Sequence, residues 1–366
     1  MRRRLIPLAV ALIFAVLPAP PAAAAPMLGA STVQSGLAYP WDLAFTPNGR
    51  MLVTERPGRI RVFASGNKEA RLLSTLTIPK VRAEGEAGVM GIAVKRHSGT
   101  TYVFVCASRQ VSGNWVNQVL RYTLSAASQL RYSRLVLGGM RANTIHNGCA
   151  VEIGPDNNVW VSMGDAADLS LPQNRSSRNG KILRVGPGGG IPAGNPFRGS
   201  PVYALGVRNP QGIAFHPASG RAYSIEHGPD VHDEINRLRP GRNFGWPCWT
   251  GRSTPGPRLT GCSGASAYTG PAWSSGGGTL ATSNGTFMHG PDWAPWRYDL
   301  FVPTLKEQDL RRFEFNDTGS RAYNRSTLFN GRWGRLRAAV RAPVANDLYV
   351  TTSNGGSDRV IRIRAH

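Results

Sequence analysis

The chain has 366 residues, four cysteines and a formal charge of +22, with 43 glycines and 27 prolines. That much Gly and Pro excludes long helix interiors, so an all-helical protein is ruled out. The basic residues are mostly scattered arginines with no dense run interleaved with aromatics, so no nucleic-acid module is expected and the charge marks attraction to anions.

The first segment, residues 1–25, joins Arg2, Arg3 and Arg4 to an apolar run over 5–17 and small residues at 22–25. This is the layout of a cleavable secretory signal. Its removal leaves residues 26–366 with a charge of +19. No later apolar run approaches the roughly 20 residues that cross a bilayer, so no stable membrane insertion is expected. The expectation is a secreted protein, extracellular or periplasmic, in which four cysteines form disulfides rather than a metal site. Cys248 and Cys262 flank a Gly/Pro/Ser-rich loop whose closure is worth about 3 kcal/mol in the chain-entropy model. Cys106 and Cys149 form the second pair by elimination, among three possible pairings.

Along the remaining chain one pattern recurs, an apolar run, a Pro/Gly/Asn turn and a β-rich run. It occurs as LAFTPNGRMLVTER (43–56), IAVKRHSGTTYVFVCAS (92–108), VEIGPDNNVWVSMGD (151–165) and IAFHPASGRAYSIEHG (213–228). Looser copies follow at 290–305 and 340–355. Each reads as a hairpin, because its turn residues supply the dihedrals a reversal needs. Six widely and unevenly spaced hairpins fit six blades better than a sandwich, so the predicted fold is an all-β, six-bladed β-propeller forming one domain over 26–366. The long connections then build a ligand site at one face.

In the third copy, His146 precedes the first strand and Asp165 follows the second, so the hairpin brings them to one end. A carboxylate on one ring nitrogen leaves the other nitrogen as a base; alternatively both residues serve only loop backbone groups. One blade on, Arg208, Asn209 and Gln211 precede a strand, and EHGPDVHDEIN follows its partner. His227, Asp230, His232, Asp233 and Glu234 lie on a Gly/Pro-rich loop, where hard oxygen donors suit Ca²⁺ better than a transition metal, unless the stretch is a plain acidic turn.

PWDLAFTPNGRMLVTERPGRIRV, GEAGVMGIAV, HNG followed by GPDNNVWVSMGD, RNGKILRV, VRNPQGIAFHPASGRAYSIEHGPDVHDEIN and NFGWP occur in this order. Together they resemble the soluble quinoprotein sugar dehydrogenases, the glucose/sorbosone dehydrogenase family, over nearly all of the chain after residue 25. The resemblance implies a six-bladed propeller that binds pyrroloquinoline quinone (PQQ) with Ca²⁺, oxidises aldose sugars to lactones and passes electrons to an unidentified acceptor. It implies His146 as base, Asp165 as its orienting carboxylate, Arg208 as the cation at the reacting quinone carbonyl and Asn209 as its neighbour on the cofactor. Gly228 and Pro229 match carbonyl ligands of Ca²⁺, and Asp233 and Glu234 match acidic positions linked to calcium and loop structure. Thr279, Lys306, Arg335 and Arg337 match cofactor positions; three carboxylates on PQQ call for several cations. Glu86 takes a substrate-side position.

The chain departs from the family pattern at several points. His146 is followed by Asn147, Gly148, Cys149 and Ala150 where H-x-G-G-R is usual, and Ile145 stands where an acidic residue can occur. Val207 replaces a histidine and Ala338 an aspartate. A Cys106–Cys149 bridge would brace the loop of the base. Two other functions are compatible with such a chain: a non-catalytic propeller that binds a glycan or protein, and a metal-dependent propeller lactonase.

Overall fold

Five of the six hairpins expected from the sequence contribute the inner pair of a four-stranded antiparallel sheet in the computed structural model, which describes residues 24–257 and 260–366; the stretch 290–305 supplies only the second strand of its sheet, whose first strand lies upstream at Thr286–Phe287. The expected signal segment lies almost wholly outside the described residues. The first sheet runs Pro40–Phe45, Met51–Glu55, Arg59–Phe63 and Leu72–Thr77. The second runs Val89–His97, Thr100–Val111, Asn114–Leu124 and Leu130–Arg141. The third runs Gly148–Ile153, Val159–Met163, Lys181–Val185 and Val202–Leu205. In the fourth, Pro210–Phe215, Ala222–Glu226 and Glu234–Arg237 are completed by the short Trp273–Ser274.

The fifth sheet, Thr286–Phe287, Leu300–Pro303, Leu310–Phe315 and Ala322–Leu328, has the shortest inner strand. Its hairpin is opened by a long connection that holds the 3-10 turn Pro291–Trp293. The sixth takes Leu336–Arg341, Leu348–Thr352 and Asp358–Ala365 from the end of the chain and its outer strand, Leu28–Leu37, from the beginning. That pairing runs antiparallel from Leu28 opposite Ala365 to Leu37 opposite Asp358 and closes the ring.

The reason the sheets stack as blades lies in the second strand of each. Met51–Glu55, Val159–Met163, Ala222–Glu226 and Leu348–Thr352 are buried at every position, as strands covered on both faces must be. Hydrophobic clusters fill each gap between neighbours: Leu52, Ile60 and Val62 meet Val103, Val105 and Leu120, while Phe104 and Val119 meet Val159, Val161 and Leu183. The series ends where Val33, Val360 and Tyr349 of the sixth sheet meet Leu43, Met51 and Val53 of the first. Six sheets joined face to face in a closed circuit are a six-bladed propeller.

Both pairs of cysteines are bridged, Cys106 to Cys149 and Cys248 to Cys262. The first ties the second blade to the third, and the second closes a loop containing the small ribbon Trp249–Thr250 and Thr254–Pro255. Among the described residues no helix is long and apolar enough to cross a membrane.

Candidate active site

In every blade the segment entering the first strand and the segment leaving the second lie at the same end, so residues far apart in sequence converge there. His146, two residues before Gly148–Ile153, has φ 57°, a left-handed conformation uncommon for a side chain with Cβ. The chain tolerates it because Gly164 lies beneath: a Cβ there would stand 2.0 Å from the His146 carbonyl oxygen. Asp165 then meets the ring, its Oδ1 lying 2.8 Å from His146 Nδ1. Asp165 is fully buried and His146 is 13% exposed, so the pair is held by protein on one side and open on the other.

The same carboxylate accepts from the Ala167 amide on Oδ1 and from Trp246 Nε1 on Oδ2, both at 2.8 Å. Three donors suit a group that only accepts, and they fix its orientation. The Nδ1–H tautomer of His146 therefore donates to Asp165 and leaves Nε2 with a free lone pair. Glu86 steadies the base from the second blade's side, its Oε2 accepting the His146 amide at 2.9 Å. The Asn209 amide group lies 3.3 Å from that Oε2, and its Oδ1 accepts the Gly148 amide at 3.0 Å.

Arg208 packs its guanidinium 5.6 Å from the centre of a Trp246 ring and donates through Nη1 to the carbonyls of His227, at 3.0 Å, and Gly228, at 2.9 Å. Burial lowers its pKa, with Asp165, Glu226 and Glu86 opposing the shift. Beside this group opens a cavity of about 470 Å³ lined by Tyr39, Trp41, Arg56, Glu86, His227, Thr279, Lys306, Arg335 and Arg337. Arg337 stacks 3.6 Å from the centre of a Trp41 ring and donates to Gln211 Oε1 at 3.1 Å. Burial pushes its pKa down to about 10; Glu86 opposes the shift and the charges of Arg335 and Arg56 add to it. Four cations face one lining carboxylate, an arrangement that calls for an anionic ligand.

The acidic loop does two things. Asp233, fully buried, accepts from the amides of Gly228 (2.9 Å), Leu280 (2.6 Å) and Thr282 (3.3 Å), and so staples the loop before Asp233 to the one after Thr279. Glu234 accepts the Gly251 amide at 2.6 Å and Asn236 Nδ2 at 2.9 Å and lines a narrow cavity with Glu226, Gly228 and Pro229. Burial raises Glu234 to about 7 and, together with the Glu234 charge, raises Glu226 well above the carboxylate range. Glu226 and Glu234 line this cavity together with Gly228 and Pro229, so the groups gathered there are hard oxygens, the donor type that Ca²⁺ takes. Among the described residues no group of three or more His, Cys, Asp or Glu side chains is arranged around a metal position.

These arrangements lie within a chain whose residues 37–362 match the family model for glucose/sorbosone dehydrogenases. The chain belongs to the glucose/sorbosone dehydrogenase family. Among curated relatives, the aldose sugar dehydrogenase YliI of Escherichia coli K12 is 27% identical over 357 residues, covering 92% of this chain and 93% of the relative. The quinoprotein glucose dehydrogenase B of Acinetobacter calcoaceticus is 27% identical, with 89% and 85% covered. Among solved structures, the PQQ-bound aldose sugar dehydrogenase of Streptomyces coelicolor superposes with a TM-score of 0.76 at 28% identity, over 94% of this chain and all of that one.

Within this family member the expected site residues fall into two groups. His146, Asp165, Arg208, Asn209 and Glu86 form one hydrogen-bonded group, and Thr279, Lys306, Arg335 and Arg337 line the cavity. Tyr39, Trp41, Arg56 and Trp246 were not singled out by the sequence reading, although all but Tyr39 lie in its quoted motifs. The available signal was positional. Arg56 follows the second strand of its blade directly, as His227 does, and Asp165 follows two residues later in its own.

Proposed function

We propose that the protein oxidises aldose sugars at the anomeric carbon to the lactone, with PQQ as hydride acceptor and Ca²⁺ as its companion ion. The observation that carries this reading is the His146–Asp165 pair, joined through Glu86 to a cavity with four cations and that one carboxylate. Bound PQQ supplies a two-electron acceptor for the hydride that leaves the anomeric carbon. Lys306, Arg335 and Arg337 hold its carboxylates by charge-assisted hydrogen bonds, with Thr279 on the cavity wall.

His146 Nε2 takes the proton of the anomeric hydroxyl as the hydride leaves, so the carbonyl of the lactone forms while His146 becomes cationic. Asp165 fixes the tautomer beforehand and stabilises that cation. Arg208 and Asn209 would stabilise charge developing on the acceptor, a task that a fixed guanidinium suits. Glu86 orients the base through its amide. The carbonyls of Gly228 and Pro229 and the carboxylate of Glu234 supply Ca²⁺ ligands, while Asp233 shapes their loop. Gly228 O now accepts from Arg208 and from His227 Nδ1, the latter at 2.8 Å, so a cation taken there competes with Arg208 for it.

Two disulfides and the secretory layout of residues 1–25 support an extracellular or periplasmic location, with a single propeller domain over 26–366 and an external electron acceptor. The test is titration of the signal-free protein with PQQ in the presence of Ca²⁺, followed by aldose-dependent reduction of a dye. Stoichiometric binding and sugar-dependent turnover are expected. No binding at micromolar PQQ, or lactone cleavage by the Ca²⁺-loaded protein without PQQ, overturns the reading.

A further inference from the structure

Arg56 is held more tightly than a surface arginine needs to be. Its amide donates to the Tyr39 carbonyl at 3.1 Å, and its own carbonyl accepts the Val89 amide at 3.0 Å. A Cβ at Gly88 would stand 2.2 Å from that carbonyl oxygen and 2.6 Å from Arg56 Cγ, so glycine lets the second blade press on both backbone and stem. The guanidinium lies 4.3 Å from the centre of the Tyr39 ring. Tyr39 itself has φ 48°, a strained conformation for an aromatic residue and of the kind retained at ligand sites.

All this fixes a guanidinium whose Nε is buried with no hydrogen-bond partner among the described residues. Buried donors are almost always paired, so an exception calls for an explanation, and a ligand in the adjoining cavity supplies one. The group lines the same cavity as Lys306, Arg335 and Arg337, and its charge adds to those that disfavour the Arg337 cation. Mutual repulsion among fixed cations destabilises the empty cavity and is relieved by an anion. A purely structural arginine would instead spend its donors on carbonyls or a carboxylate.

We propose that Arg56 is an anion-binding residue of this cavity, supplying a carboxylate of the bound quinone with a charge-assisted hydrogen bond beyond those of Lys306, Arg335 and Arg337. The identity of the ligand rests on the PQQ reading above; the role of the residue rests on its unpartnered Nε and the cavity it lines.

Calorimetric titration of the whole protein tests both parts separately. Wild type, Arg56→Gln, Arg56→Lys and Tyr39→Leu are titrated with PQQ and Ca²⁺, and independently with benzene-1,3,5-tricarboxylate, a redox-inert aromatic anion. Arg56→Gln weakens both ligands about 10- to 100-fold, the scale of one charge-assisted hydrogen bond. Arg56→Lys, which keeps the charge without the planar fork, recovers part of that loss. Wild-type affinity for both ligands in a folded Arg56→Gln protein overturns the proposal. Where Arg56→Gln does not fold, Tyr39→Leu decides: weakened binding supports the role, and unchanged binding overturns it. Arg56-dependent binding of the tricarboxylate without any binding of PQQ leaves the role standing and removes the PQQ reading. Binding of neither ligand by wild type removes both.

Discussion

His146 combines two features that rarely coincide by chance, a left-handed backbone and a ring locked by a buried carboxylate. The strain is offset by Gly164 and by the Glu86 contact to the His146 amide, so the loop stores a geometry that its own dihedral preferences oppose. Two expectations belong to this residue. His146→Ala leaves PQQ affinity within a few-fold of wild type and slows sugar oxidation by about 10²- to 10⁴-fold, the usual span for a lost acid–base group. Binding and single-turnover rates measured on the same preparation check it, and retention of full activity would falsify the role of the base. Gly164→Ala drives a methyl group into the His146 carbonyl and shifts the loop. A misplacement of about 1 Å costs on the order of 10²-fold in rate. The comparison with His146→Ala is informative, because the glycine variant keeps every chemical group and loses only their alignment.

At the scale of strands and loops, hairpins are the unit that sequence reveals well. The turns at 46–49 and 154–157 are closed by Gly49 N to Thr46 O and Asn157 N to Gly154 O, each at 2.9 Å, as their Pro, Gly and Asn content implies. That local logic also paired His146 with Asp165 across nineteen residues. It fails where pairing is non-local. Nothing near Leu28–Leu37 marks it as the outer strand of the last blade, and the two-residue strands Trp273–Ser274 and Thr286–Phe287 are too short to leave a pattern. Arg56 and Trp246 escaped for a related reason: their function depends on what other blades place beside them.

The Cys106–Cys149 bridge links these levels, because it joins the second and third blades three residues after His146. Removing it as the Cys106→Ser, Cys149→Ser double variant lowers unfolding free energy by up to about 4 kcal/mol in the chain-entropy model, given its 43-residue separation. Urea unfolding checks the stability, and a fall in turnover with PQQ affinity retained would place the damage at the base loop.

Across the whole molecule, the ring is held at its centre as well as at its seam. Asp42 lies on the inner strand of the first blade, directly after Trp41 of the cavity. Its Oδ1 accepts the Leu43 amide at 2.8 Å and Asn284 Nδ2 at 3.2 Å, and its Oδ2 accepts the Ile92 amide at 3.1 Å. One carboxylate thus ties the first blade to the second and to the segment entering the fifth.

Burial raises the Asp42 pKa to about 7, against the opposing hydrogen bonds of Ile92, Leu43 and Asn284. The consequence for stability has a definite sign. Below about pH 4 the group is protonated in both folded and unfolded chains. Between about pH 4 and pH 7 the folded state holds a proton that the unfolded state has lost, so the unfolding free energy falls as pH rises, by up to about 4 kcal/mol, and the loss is complete above pH 7. Asp42→Asn removes that slope, but an amide accepts at only one of its two terminal atoms and leaves a buried donor unpaired. The variant is therefore less stable than wild type near pH 4.5, and the gap narrows or reverses by pH 7.5. Glu152 is itself raised by burial and then by the Asp42 charge, which Asp42→Asn removes, so the comparison is made between urea-unfolding curves in a Glu152→Gln background. A gap that stays constant across the two pH values would show that Asp42 remains ionised in the folded ring and holds the axis as a charge.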